Sequence, residues 1–122
     1  MIYLADTHIL IWSWHAPDRL SPEYTRILNS DAKVMLSIAS IWEISIKSSV
    51  GKLTIREDVA RNAVRTGYTI LPISVEHAES VARLPLHHRD PFDRMLVAQA
   101  RCDGLALMTA DDAIRAYDVK IA

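Results

Sequence analysis

Four carboxylates, those of Asp6, Glu43, Asp93 and Asp111, stand where carboxylates are expensive to keep charged. Asp6 directly follows Ile2-Tyr3-Leu4-Ala5, and Glu43 is flanked by Ile41, Trp42, Ile44 and Ile46. Asp93 opens the stretch "DRMLVAQA", which continues as a helix apolar on nearly every side. Such a helix is a buried one. A buried carboxylate is costly unless it is paired or bound to metal. Several close together repel, and at least one takes up a proton unless a cation is present. No Lys or Arg is distributed so as to neutralise all of them. A hard divalent cation would do so, and Mg²⁺ and Mn²⁺ favour carboxylate and water oxygens.

Each acid also has a plain structural explanation. Asp90 reads as a helix N-cap with Pro91 at the first helical position, and Asp93 then favours the positive end of the helix dipole. Ser40-Ile41-Trp42-Glu43 fits a capping box. Asp6 can cap the helix after the first strand, and Asp111 or Asp112 the last short helix. Capping explains an acid near a helix start. It does not explain why each acid is embedded among residues that look buried.

The histidines compete poorly for a metal. His87 and His88 are adjacent and so face different ways, no His-x-x-x-His pair exists, and zinc is not expected. His8, His15 and His77 read as surface or boundary residues. Thr7 and Thr109 are placed to orient the acids. No Gly-x-Ser-x-Gly elbow and no phosphate-binding glycine loop is present.

The elements that must position these side chains alternate. Strands are expected over 2–5, 33–37, 68–73 and 105–109, with a further short one over 119–121. Pro72 near the end of the third marks it as a possible edge. Helices are expected over 8–15, from Ser21-Pro22-Glu23 onward, and over 38–49, 56–66, 75–84, 91–103 and 113–117. Alternation of this kind implies an α/β domain with a mainly parallel sheet covered on both faces. In such sheets the working site lies beyond the carboxyl ends of the strands. Asp6 and Asp111 fall just after strands, Glu43 follows one closely, and Asp93 is assumed to reach the same edge.

Composition narrows the class. With 122 residues, half of them apolar, and only three glycines, a single domain over 1–122 is expected. The apolar runs are too short to cross a bilayer, and Asp6 interrupts the N-terminal one too early for a signal peptide. Cys102, the single cysteine, points to a reducing compartment, so a cytoplasmic location is expected. A net charge of −1 is not that of a general nucleic-acid binder. Any nucleic-acid role must rest on a local patch or a metal ion. Lys47, Lys52, Arg56, Arg89 and Arg94 are candidates for a basic rim. Trp12, Trp14 and Trp42, at helical spacing among aliphatics, read as core.

Taken in order, "YLADTHILIW", "SIASIWEISIKSSVGKL", "LPLHHRDPFDRMLVAQA" and "LMTADDAI" resemble the blocks of a PIN-domain ribonuclease, of the VapC-like toxin kind from bacterial toxin–antitoxin pairs. "RDPFDRMLVAQA" and "SIWEISIK" are the specific part. The resemblance implies a three-layer α/β/α sandwich with a central, mainly parallel sheet. It assigns Asp6, Glu43 and Asp93 as catalytic, metal-binding acids and Asp111 as the fourth, with Asp112 as a neighbour that could substitute; Asp6 and Asp93 are the leading metal ligands, and Glu43 and Asp111 bind directly or through water. It implies Mg²⁺, or Mn²⁺, and hydrolysis of RNA phosphodiester bonds by metal-bound water. It also implies a homodimer and a cognate antitoxin, with no membrane association. Arg94 matches the motif too, as a phosphate contact or as the ion-pair partner of a site acid. Two other readings stand beside it: an inactive PIN scaffold that only binds a partner, and a phospho-receiver domain. The latter would want an acid pair after the first strand and a late Lys, whereas Thr7 follows Asp6 and Lys120 falls in the last expected strand.

Overall fold

The computed structural model describes residues 1–55 and 58–122. Four parallel strands form the sheet: β1 (Tyr3–Ala5), β2 (Val34–Ser37), β3 (Tyr68–Leu71) and β4 (Ala106–Met108). Their spatial order is β3-β2-β1-β4. The chain builds outward from β1 on one side and then returns to add β4 on the other, so the strand order reverses beside β1. Tyr3 pairs with Val34 on one side and with Ala106 on the other. The third strand is an edge, as Pro72 suggested.

Helices cover both faces: α1 (Thr7–His15), α2 (Pro22–Asn29), α3 (Ile38–Ser49), α4 (Val59–Arg65), α5 (Val75–Ser80), α6 (Pro91–Asp103) and α7 (Asp112–Arg115). The pleat divides the apolar residues between two cores. Ala5, Leu36, Tyr68 and Met108 point to one face and pack with Ile9, Leu10, Tyr24 and Ile44. Leu4, Leu71 and Leu107 point to the other and pack with Leu96, Val97, Ala100 and Ile114. The result is the expected α/β/α sandwich. Among the described residues no helix is long and apolar enough to cross a membrane.

The central turn of α6 is enclosed all round, because Leu96 through Ala100 are consecutive and all buried. Gly104 ends the helix in a left-handed conformation (φ +68°), which a side chain would strain. Several boundaries differ from expectation. Helix α5 stops at Ser80, and Val81–Arg83 continues as a single 3₁₀ turn. The expected strand over 119–121 is one isolated bridge between Ile121 and Leu107. Helix α4 starts at Val59 behind its Asp58 cap, and the expected start at Arg56 lies outside the described residues, as does that residue's place in a basic rim. His77 is not a surface residue: it is buried at the start of α5, where Nδ1 accepts from the Ser74 amide and Nε2 meets Asp103 at 3.1 Å.

Candidate active site

Asp6 and Asp111 are set up from the carboxyl ends of β1 and β4, on either side of the point where the strand order reverses, and Glu43 and Asp93 from the second turn of α3 and the first turn of α6. Asp6 follows β1, and its amide donates to Met108 O of β4 at 3.0 Å. Its carboxylate caps α1, with Oδ1 accepting from the Ile9 amide at 2.9 Å. Burial pushes the Asp6 carboxyl up; hydrogen bonds from the Thr109 hydroxyl and the Ile9 amide oppose the rise. Thr109 Oγ1 in turn accepts from the Asp111 amide at 3.0 Å. This buried threonine therefore ties the first acid to the fourth. Its own backbone is held by Tyr24 of α2, whose hydroxyl accepts from Thr109 N at 3.1 Å.

Asp111 caps α7 through Ala113 N at 2.8 Å, while its Oδ2 lies 3.1 Å from His88 Nε2. Burial pushes this carboxyl up, but the Ala113 amide and His88 outweigh it, and the net displacement is downward. Asp112 is exposed at the start of α7, so Asp111 is the acid that adjoins the others.

Asp90 caps α6, as expected, by accepting from the amides of Phe92 and Asp93 at 2.8 and 3.2 Å. The cap leaves the Asp93 side chain free to face the other acids. Its Oδ2 lies 3.0 Å from His88 Nε2. Burial first, then the charges of Asp90 and Glu43, raise the Asp93 carboxyl from 3.8 to about 7. Asp6 adds to the rise and His88 opposes it.

Glu43 does not close a capping box. Helix α3 already begins at Ile38, capped by Ser37, so Glu43 lies in the second turn and Ser40 is inside the helix. The buried Glu43 Oε1 instead accepts from the Thr7 hydroxyl at 2.6 Å, and Oε2 pairs with Lys47 at 2.7 Å. Ser40 Oγ stands 2.9 Å from the same Thr7 hydroxyl. Lys47 is thus a partner of a site acid rather than a free rim cation. Its pairing with Glu43 raises the ammonium's pKa further.

Asp93 and Asp111 meet at His88, and Asp6 and Glu43 lie near enough for their charges to act on Asp93. Donor atoms of His88, Asp93 and Asp111 lie within 4.8 Å of one another, close enough to hold one metal ion. The sequence matches the model of the PIN domain family over residues 3–120. The chain belongs to the PIN domain family.

Solved structures share the fold of this PIN domain. A chain of VapBC2 from Rickettsia felis, bound to a promoter DNA fragment, aligns with a TM-score of 0.72 at 15% identity, over 99% of this chain and 96% of that one. A chain of VapBC-1 from nontypeable Haemophilus influenzae gives 0.68 at 18% identity, over 100% and 97%. FitAcB from Neisseria gonorrhoeae gives 0.66 at 17%, over 99% and 96%. At such identities the likeness is one of fold. No curated protein matches the sequence. Membership of the PIN domain family also removes the phospho-receiver reading.

Arg94 of the PIN domain touches no site acid. Its guanidinium donates to the carbonyls of Pro85 and Val81 at 3.0 and 3.1 Å, and to the Tyr117 hydroxyl at 3.1 Å. That hydroxyl also accepts from the amides of His87 and His88 at 3.2 and 3.0 Å. Arg94 therefore orders the backbone that carries His88 and makes no ion pair with a site acid. Trp42 is 58% exposed and stands edge-on to Phe92 at 5.3 Å, so it is not core.

Two features escaped the sequence. His88 has no histidine partner at metal-ligand spacing, and its partners in the fold are the carboxylates of Asp93 and Asp111. An open cleft of about 370 Å³ adjoins Asp6 and Asp111, with Trp12 and Arg19 in its wall. The Arg19 guanidinium lies 4.5 Å from the centre of the Trp12 ring and places a cation at the edge of the acid cluster. The 3₁₀ turn at Pro17–Arg19 that brings it there has no periodic pattern to read.

Glu43 offers a direct check on the energetics. Glu43→Ala removes the charged acceptor shared by the Thr7 hydroxyl, which keeps Ser40 Oγ as its other partner, and the part-exposed Lys47 ammonium, while it relieves Asp93 of one repulsive neighbour. The first effect should win, since a hydrogen bond to a charged group contributes about 1.5–3 kcal/mol. A net loss of about 1–2 kcal/mol is expected in urea melts in chelator. A gain would show that Glu43 is repulsive on balance.

Proposed function

We propose that this PIN domain is a divalent-cation-dependent endoribonuclease and the toxin of a toxin–antitoxin pair. One observation supports the reading: Asp93 and Asp111 each turn a carboxylate oxygen to the same point, with Asp6 and Glu43 close enough for their charges to reach Asp93. The donors fit a hard cation, because they are carboxylate oxygens. Asp93 and Asp111 would hold Mg²⁺, or Mn²⁺ in its place, with Asp6 and Glu43 directly or through water. When bound, such an ion supplies a hydroxide-like water and stabilises charge on the phosphate.

The chain's own residues do the rest. Thr109 orients Asp6, and Thr7 orients Glu43. Arg19 at the cleft, with the exposed Lys52 and Arg89, offers phosphate contacts that the near-neutral surface otherwise lacks. The complexes among the structural neighbours, VapBC and FitAB by their names, support an antitoxin partner here too. A homodimer would join two weak basic rims into one groove for RNA.

The test is cleavage of a labelled RNA with Mg²⁺, with Mn²⁺ and in excess chelator, using wild type and Asp6→Asn. Cleavage by wild type only, and only with metal, is expected. Full activity in chelator would overturn the metal mechanism. No cleavage of any RNA by a protein that still binds Mn²⁺ would favour a scaffold that acts by binding a partner.

A further inference from the structure

His88 occupies the gap between Asp93 and Asp111, and its hydrogen bonds define how. Nδ1 accepts from the backbone amide of Asp90 at 3.2 Å. A nitrogen that accepts carries no proton, so the ring proton is on Nε2. Nε2 lies 3.0 Å from Asp93 Oδ2 and 3.1 Å from Asp111 Oδ2. One N–H is therefore shared between two carboxylates.

This is the reverse of what a metal-ligating histidine needs. A ligand offers a bare nitrogen to the ion and donates through the other N–H, usually to a carbonyl or a carboxylate. If His88 Nε2 were bare, Nδ1 would carry the proton and confront the Asp90 N–H, donor against donor. The fold thus selects the tautomer that points a proton at the acids. Its side chain is 20% exposed, so the ring has solvent to turn into. The backbone beneath it is fixed by the Tyr117 hydroxyl, so rotation of the side chain alone would free the gap.

We infer that His88 is a placeholder: it bridges Asp93 and Asp111 while no cation is bound, and it must swing out before a divalent cation can take both carboxylates. The inference rests on the proposed reading that these acids bind such a cation. It makes His88 a positioning residue that competes with the metal, not a ligand of it.

Calorimetric titration with Mn²⁺ alone and thermal melts in chelator test this on wild type, His88→Ala and His88→Gln. A competitor removed leaves a site that binds more tightly, on the order of fivefold for one hydrogen bond lost to the apo state. His88→Ala should therefore bind Mn²⁺ more tightly than wild type and melt lower in chelator. His88→Gln, which keeps an N–H donor, should fall between the two in both measurements. Ring-nitrogen NMR of the wild type needs no variant: on Mg²⁺ addition the hydrogen bonds of Nε2 to the carboxylates and of Nδ1 to the Asp90 amide should both disappear. Weaker Mn²⁺ binding by folded His88→Ala, or hydrogen bonds of the ring that persist in the Mg²⁺ form, would overturn the inference alone. Absence of Mn²⁺ binding by wild type would overturn it together with the proposed function.

Discussion

Asp93→Asn is expected to abolish RNA cleavage and, in the same protein, to raise the melting temperature of the metal-free form. The two effects have one cause. Burial and the charges of Asp90, Glu43 and Asp6 make an ionised Asp93 unfavourable. The amide is isosteric, carries no charge and still offers an oxygen to His88. A carboxyl displaced from 3.8 to about 7 is destabilised, when ionised, by at most about 4 kcal/mol. The amide gives up the charge-assisted bond from His88 and part of the benefit with it. A gain of about 1–2 kcal/mol at pH 8 is expected, which for a domain of this size moves the melting temperature up by about 5 °C. At pH 5 the difference should shrink to roughly a third, and it vanishes only below pH 3.8, where the wild-type carboxyl is protonated in the folded and the unfolded chain alike. Cleavage should fall on the order of a thousandfold or more, since the variant loses a charge aimed at the cation. If Asp93 served only the dipole of α6, the same change would cost about 0.3–1 kcal/mol at every pH above 5. Scanning calorimetry in chelator at both pH values separates these outcomes.

A second large effect concerns the wild type as pH is varied. Asp93 has a folded-state pKa above its unfolded value, so between pH 3.8 and about 7 the folded chain holds a proton that the unfolded chain has lost. Stability in chelator is therefore greatest at the acid end of that window and falls as pH rises through it. Asp6, also displaced upward, adds to the fall. Asp111, displaced downward, acts in the opposite sense, but its contribution is lost only as pH drops below 3.8. With saturating Mg²⁺ the slope should flatten, because the ion holds the folded carboxylates deprotonated and the folded and unfolded chains then bear the same protons across this range. Urea midpoints from pH 4.5 to 8, with and without Mg²⁺, read both slopes. A flat profile in chelator, or a fall that Asp93→Asn leaves unchanged, would remove Asp93 as its source.

Much of this arrangement is written locally in the chain. An apolar run that ends in Asp6 announces a buried strand with an acid at its end. Asp90-Pro91 announces a helix start, and Gly104 its stop. These rules act over a few residues, and the structure keeps them. What failed depended on contacts between distant segments. Ser40 and Glu43 have capping-box spacing, but the turn from β2 starts the helix at Ile38, and Glu43 turns inward to Thr7. His88 meets Asp111 across 23 residues, and no local period encodes that. Trp42 lies on a helix with apolar residues on several faces, so the pattern does not say which face is solvated. His77 is buried against α6, where Gln99 and Asp103 come to meet its ring.

The strand order has a consequence for when the site comes into being. Asp6 and Asp111 are neighbours only because β1 pairs with β4, and that pairing joins positions roughly one hundred residues apart, from Tyr3 with Ala106 to Ala5 with Met108. The β1–β2 and β2–β3 pairings close far shorter loops and can form while later residues are still being added. The β1–β4 seam carries the highest closure entropy in the sheet and belongs to the slow, late part of folding. A nascent chain that has formed β1 to β3 holds Asp6 and Glu43 but has no fourth strand to bring Asp111 beside them, and no Thr109 to lock Asp6. The pair of Asp6 and Asp111 therefore exists only once the β1–β4 seam has closed.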